Sequence, residues 1–433
     1  MRVGFEFRVA GALAGLVALG AVAPASASVR HPSWHRAVTI GPRSVPAGLP
    51  VAVDAKVGES GGTTRLVVDL SAKVTVDAVL TEHPDRVVID LPEVNFQVDP
   101  AAGRLGPRGV GLIRAFRFGL FAPGKSRIVI DLAGPAAVRR VDLSSIAGGD
   151  ASRLTVELAP TDRASFHLAA RRPQPGPAAP GVSAPSTAAV DDARPVVVVD
   201  PGHGGVDPGA SGVLGAVEKD VVLQFASALA ARLSASDRYR VVMTRRDDSF
   251  VSLGDRVRIA RDADAALFIS VHADTLADGT VSGATVYTAS DRASDAEAAR
   301  VAATENQADA ASGLDEAPKA ADVSDILFDL TRRETRTYAH QFQHTLTGYW
   351  AKIARLNRNP ERAAGFRVLQ APDVPSVLLE LGYLSSGADA HLLESADWRA
   401  KAVDGVAMAV DAFFAGRSPA APPTTAPGSA AMR

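Results

Sequence analysis

The sequence predicts an α/β domain, a twisted and mostly parallel sheet flanked by helices, preceded by an all-β sandwich. Three observations carry this expectation. Apolar runs at 196–199 (VVVV), 265–271 (AALFISV) and 377–381 (VLLEL) read as short strands buried on both faces, as in a parallel sheet. After the first of them, Val221, Val222, Phe225, Leu229 and Leu233 recur near helical period, so 218–233 reads as a helix packed on that sheet. Upstream, arginine, aliphatics, an acid and leucine recur four times, as RLVVDL at 65–70, RVVIDL at 86–91, RIVIDL at 127–132 and RLTVEL at 153–158. Each copy reads as an antiparallel strand, and their pairing predicts two similar sheets packed together over 50–160.

The N-terminus comes first in chain order. Arg2 and Arg8 precede the apolar stretch 9–22, which ends in Ala23-Pro24-Ala25-Ser26-Ala27, so residues 1–27 read as a Sec-type signal peptide cleaved near Ala27. The two arginines are not adjacent, which does not support the twin-arginine route. With no cysteine, the chain has neither a lipobox nor disulfides. No other segment has the apolar length needed to cross a bilayer, so no stable membrane span is expected after signal cleavage. With 433 residues, 47% of them hydrophobic, and a net charge of −2, the chain can bury sizeable cores and shows no nucleic-acid signature in its overall charge.

Proline, alanine and glycine dominate 171–195 and again 416–433. Residues 161–194 are therefore expected to form a disordered, extended linker and 416–433 a disordered tail, which leaves 195–415 as the α/β domain.

Chemistry concentrates at the strand ends. His203 lies just past the first strand, at the carboxyl end where open α/β sheets place their sites. Gly202, Gly204 and Gly205 remove side chains around it, which lets the backbone turn sharply and is expected to leave room for an ion and a substrate. Glu218 opens the following helix. The second strand ends at His272, with Asp274 two residues beyond. Glu380 interrupts the third apolar strand, and because an unpaired buried carboxylate is costly it should face a metal, a cation or a catalytic cavity. A phosphate-binding loop would carry Gly-Lys-Ser/Thr or GxGxxG, and neither occurs here. Two histidines and a glutamate with an open position make a catalytic zinc set, and Glu380 has the chemistry of its general base. The pair His340 and His344 has helical spacing, but Gln341 stands where a zincin needs glutamate, so the pair reads as surface or packing.

The order His203, Glu218, His272, Glu380 resembles the zinc-dependent N-acetylmuramoyl-L-alanine amidases of bacterial cell-wall turnover. The segments that carry the resemblance are DPGHGG at 200–205, Glu218-Lys219, SVHAD at 270–274 and LLELGYLSS at 378–386. The resemblance implies Zn2+ held by His203, Glu218 and His272, with Asp274 as an additional metal contact and Glu380 as the catalytic carboxylate. The bond cut would join muramic acid to L-alanine in peptidoglycan. The fourfold repeat resembles the AMIN domain, which implies peptidoglycan binding and enrichment at the division septum in the periplasm.

Residues 290–335 exceed the short connection that the simplest members of that family need. Ser294 and Glu297 form a capping-box pattern opening an alanine-rich helix that includes Glu305. Val323, Ile326, Leu327 and Leu330 follow i, i+3, i+4, i+7 spacing and give one apolar helical face, which in the plainest reading packs on its own domain. In division-associated amidases with an insertion here, a helix covers the zinc site and one of its glutamates fills the open position until a LytM-type activator displaces it. The resemblance thus assigns Glu305 as the plug and the four apolar residues as the activator-binding face. Two other classes use the same residues: a zinc peptidase cutting within the stem peptide, and a catalytically silent wall-binding protein. A polysaccharide deacetylase would need paired aspartates together with H-x-x-x-H, and these do not occur together.

Overall fold

The computed structural model describes residues 48–146, 149–171, 192–314 and 326–416. The signal segment 1–27, residues 172–191 of the expected linker, the tail from 417 onward and Val323 lie outside the described residues.

The N-terminal half is a two-sheet β structure. One sheet runs β5 (Asn95–Phe96), β1 (Val51–Ser60), β2 (Thr63–Leu70), β9 (Ser152–Pro160), β8 (Ala136–Ser145). The other runs β3 (Asp77–Thr81), β4 (Arg86–Pro92), β7 (Lys125–Leu132), β6 (Ile113–Ala122). The repeat explains the pairing: β2 lies antiparallel to β9 and β4 to β7, so each copy meets another copy reversed. The arginine that opens one copy then faces the acid that closes its neighbour. Arg65 pairs with Glu157, Arg153 with Asp69, Arg86 with Asp131 and Arg127 with Asp90, at 2.6–2.7 Å. Alternate aliphatics, among them Leu66, Val68, Val87, Ile89, Ile128, Ile130, Leu154 and Val156, fill the space between the sheets.

The expected linker begins later than its composition suggests. Helix α1 (Arg163–Ala170) follows β9, capped by Asp162 accepting from the Ser165 N–H, and its Phe166 is buried in the sandwich core.

The C-terminal half is a six-stranded sheet, ordered β11 (Arg240–Met243), β10 (Val196–Pro201), β12 (Ala265–His272), β15 (Ser376–Glu380), β13 (Ala284–Ala289), β14 (Leu356–Ala364). All neighbours are parallel except β13 with β15. The valines of β10 alternate between two cores: Val197 and Val199 join α2 (Glu218–Ser234), α6 (Ile326–Trp350) and α8 (Ala396–Ala415) through Phe225, Phe342 and Val410. Val196 and Val198 pack instead toward α3 (Leu253–Asp262) and α4 (Ala296–Glu305) through Ala260, Val301 and Ala302. Both faces are covered, as an unbroken apolar strand requires.

The insertion helix starts one residue later than the capping-box pattern implies. Asp295 caps α4 by accepting from the Ala298 N–H, while the Ser294 hydroxyl donates to the Ala363 carbonyl and Glu297 pairs with Arg362. A short α5 (Ala308–Ala311) follows. The long helix α6 begins at Ile326, so Ile326, Leu327 and Leu330 occupy its first turns. Among the described residues, no helix is long and apolar enough to cross a membrane.

Candidate metal centre

The sheet register brings the site together. In β12 and β15, His272 and Glu380 are direct partners at the strand ends, and β10 delivers His203 alongside. His203 takes φ +56°, a left-handed value uncommon outside glycine, between Gly202 and Gly204. Buried arginines hold that turn: Arg245 donates to the carbonyls of Pro201 and Gly202, and Arg256 donates to those of Pro201 and His203. Arg256 also pairs at 2.6 Å with buried Asp200, which accepts from the hydroxyls of Thr244 and Ser270.

The glycines make room for protein groups, contrary to the expectation of open space. A Cβ on Gly202 would stand 2.3 Å from the ring of His272, and one on Gly205 would stand 1.8 Å from the Leu120 carbonyl oxygen of the N-terminal sandwich. Leu120 also accepts from the Val206 N–H and bridges to Ser249, so β6 is docked on the histidine-bearing loop. Lys219 ties the same loop by donating to the Gly205 carbonyl and to Asp248.

His203, Glu218 and His272 offer ligand atoms that all lie within 4.8 Å of one another, and all three residues are buried. Glu218 accepts from the backbone N–H groups of Ala210 and Ala273 through its two oxygens, which fixes the carboxylate in place. Its oxygens lie 3.2 Å from His203 Nε2 and 3.2 Å from His272 Nδ1. Nδ1 of His203 faces Asp207 at 2.9 Å, turning Nε2 toward the centre. That Nε2 is buried without a hydrogen-bond partner, although carboxylate oxygens stand near it. Two imidazoles and a carboxylate converging on an unpartnered nitrogen form a donor set that fits a divalent cation such as zinc.

Glu305, at the end of α4, enters the same centre. Its Oε2 lies 3.0 Å from His272 Nδ1 and 3.4 Å from His203 Nε2, and the residue is buried. Burial lowers the His203 and His272 pKa values, but the surrounding carboxylates outweigh it. Glu218, Asp207 and Glu305 hold His203 well above its ordinary value, and Glu305 and Glu218 hold His272 at about 10. Conversely, burial raises Glu305, yet the two histidines bring it down to about 2. The histidines and the carboxylates thus hold one another ionised.

Glu380 is fully buried. One oxygen accepts from the Asp274 N–H at 3.0 Å, and Oε1 has no hydrogen-bond partner among the described residues. Burial, joined by Asp274 and Glu218, pushes its carboxyl well above the usual range against the opposing pull of His272. Asp274 lies beside the three-residue donor group, and its backbone N–H donates to Glu380. Burial pushes the Asp274 carboxyl up to about 8, and Glu305 and Glu218 add to the shift.

His340 and His344 lie on the exposed side of α6, His340 beside Gln343 and Thr288 and His344 beside Glu361. The sequence reading missed Asp207, Arg245 and Arg256. Only Asp207 has a local signal, since it sits four residues after His203 in a turn.

Residues 197–412 match the family model described as N-acetylmuramoyl-L-alanine amidase, and residues 53–158 match that of the AMIN domain. The chain is 30% identical over 386 residues to the N-acetylmuramoyl-L-alanine amidase AmiC of Escherichia coli O6:H1, covering 85% of this chain and 91% of the relative. It is 30% identical over 380 residues to AmiC of Neisseria meningitidis serogroup B, covering 84% and 90%. Among solved structures, an N-acetylmuramoyl-L-alanine amidase from Clostridium difficile 630 is similar over 52% of this chain and 100% of that one, at 23% identity and a TM-score of 0.38.

Proposed function

The chain belongs to the N-acetylmuramoyl-L-alanine amidases and is a peptidoglycan amidase; from that premise we propose that it is a zinc enzyme held inactive by its own insertion until an activator releases it. The observation that carries the reading is the convergence of His203, Glu218 and His272 within 4.8 Å, with Glu305 directed at the same nitrogens.

His203, Glu218 and His272 would hold the metal. Bound zinc would supply Lewis acidity toward the amide carbonyl and a water of lowered pKa. Asp207 fixes the His203 ring so that Nε2, rather than Nδ1, faces the metal. Glu380 serves as general base through Oε1, which lacks a partner, while the Asp274 N–H fixes the other oxygen. Glu380 would take the proton from the attacking water and pass it to the departing nitrogen of L-alanine. The products are a stem peptide with a new amino terminus and a glycan strand that keeps its lactyl carboxylate.

Glu305, whose Oε2 stands near both histidines, would compete with water and substrate for a bound metal. A LytM-type activator engaging Val323, Ile326, Leu327 and Leu330 would draw the insertion away. Export by the segment 1–27, residence in the periplasm and septal enrichment through peptidoglycan binding by residues 50–160 complete the reading, with daughter-cell separation as its outcome. The test is digestion of purified sacculi by Glu305→Ala protein beside the full chain: faster peptide release by the variant that stops with a chelator and returns with zinc supports the proposal, and release indifferent to chelation overturns it.

A further inference from the structure

The β4–β7 sheet and the β2–β9 sheet carry the same repeat, yet their outer faces differ. In β2–β9 the ion pairs stand at the surface, with Arg65 and Arg153 side chains 42% and 48% exposed. The equivalent Arg86 and Arg127 in β4–β7 are 10% and 1% exposed. The outward aliphatics differ in the same way: Val88 and Val129 are buried, whereas the corresponding Val67 and Thr155 are only partly covered. The catalytic half covers the second face: Val206 and Phe250 pack with Val88, Phe121 and Val129, and the chain that follows Glu305 adds Leu314 beside them.

That contact is built from groups that match. Arg127 holds Asp90 through Nε and one terminal nitrogen, stacks over Phe121, and uses its remaining nitrogen to donate to the Ser312 carbonyl at 2.9 Å. Arg117 holds Asp131 through both terminal nitrogens and donates from Nε to the Ala311 carbonyl at 2.6 Å. Two guanidinium groups, each already oriented by a carboxylate, thus receive carbonyls at the C-terminal end of α5, where a helix leaves acceptors unpaired. Gly313, at φ +75°, approaches so closely that a Cβ there would lie 2.6 Å from a Val88 methyl. Leu314 packs on the patch of Val88, Phe121, Val129, Val206 and Phe250. On the other side the segment is tied to the catalytic half by Asn306, which bonds Gly365 and Arg367, and by Asp309, which accepts from the Leu253 N–H.

We propose that the N-terminal sandwich is a latch for the Glu305 segment: Arg117, Arg127 and Val88 grip residues 311–314 and thereby hold the carboxylate on the metal site. This function is distinct from wall binding, and it rests on the reading of Glu305 as a plug. It couples the two halves of the chain, because α5 and α4 cannot swing away while the sheet retains Ala311 and Ser312. Release of the plug requires that this sheet face be uncovered.

The test uses the full-length, zinc-loaded protein, which has no cysteine of its own. Leu314→Asp places a charge against the apolar patch from the insertion side, leaving the sandwich sequence intact. It should raise the basal rate on sacculi on the order of ten- to a hundredfold, and speed hydrogen exchange over residues 296–311. Combined with Glu305→Ala it should add nothing further. Gly313→Cys with Val88→Cys should form a disulfide, because the two Cβ positions lie 3.5 Å apart, within bridging range. In the Leu314→Asp background the oxidised pair should return the rate to its basal level, and reductant should restore the raised rate. If Glu305→Ala raises the rate but Leu314→Asp changes neither rate nor exchange, the latch is wrong and the plug survives. If the pair forms and the raised rate stays in place, the latch is also overturned. If Glu305→Ala itself leaves the rate unchanged, the plug reading has failed.

Discussion

Oε2 of Glu305 lies 3.0 Å from Nδ1 of His272, the nitrogen that Glu218 also faces at 3.2 Å. Two carboxylates from different helices therefore address one histidine, but they are held very differently. Glu218 is anchored by two backbone N–H groups, whereas Glu305 ends an insertion helix fastened by side-chain contacts. In the proposed reading the first stays and the second leaves.

On the proposed reading, removing the Glu305 carboxylate should release activity. Glu305→Ala is expected to raise the basal rate on sacculi roughly five- to 150-fold, the span of ordinary coupling energies between sites. Dye release from labelled sacculi measures this directly, and an unchanged or lower rate would count against a plug.

Glu380→Gln keeps the size of the side chain and removes its basicity. The rate should fall about a hundred- to ten-thousandfold, as expected for loss of a general base, while bound zinc stays stoichiometric by elemental analysis. A variant that still turns over normally would exclude Glu380 from proton transfer.

Asp207 touches His203 and not the metal position, so its loss should appear in affinity before it appears in chemistry. Asp207→Asn is expected to weaken zinc binding about 10- to 100-fold, read by competition with a chromophoric chelator. Equal affinities in wild type and variant would leave Asp207 without a positioning role.

Asp200 and Arg256 form a buried pair beneath the histidine loop. Burial opposes ionisation of Asp200, but Arg256, Thr244 and Ser270 outweigh it and lower its pKa. A carboxylate depressed in the folded state stabilises the protein above its ordinary pKa, and that contribution is lost as pH falls through the depressed value. Asp200→Asn should thus cost about 3–5 kcal/mol at neutral pH in urea unfolding, with the gap from wild type closing in acid. A gap that persists or widens toward acid would contradict the ion-pair account.

Much of the site was legible because its chemistry interrupts apolar strands. His272 and Glu380 stand out at the ends of runs that are otherwise buried, and the register makes them partners. The fourfold repeat exposed its own pairing, since arginine and acid at opposite ends of a strand match only when copies run antiparallel. The start of α4 was misplaced by one residue because Ser294 and Asp295 both suit an N-cap, and Ser294 is drawn instead to Ala363. Helix α1 was hidden because its packing rests on one buried residue, Phe166, in an alanine-rich stretch. The bonds from Arg117, Arg127, Arg245 and Arg256 to backbone carbonyls left no trace, since every residue carries a carbonyl. The glycines around His203 were read as open space, but their clearance is taken up by His272 and Leu120, which lie far away in sequence.

The most direct measurement is mass spectrometry of the soluble products when zinc-loaded Glu305→Ala protein digests purified sacculi. The account predicts intact stem peptides with a free L-alanine amino terminus, and glycan strands that keep the lactyl carboxylate. Fragments cut within the stem peptide, or no zinc-dependent release at all, would contradict it.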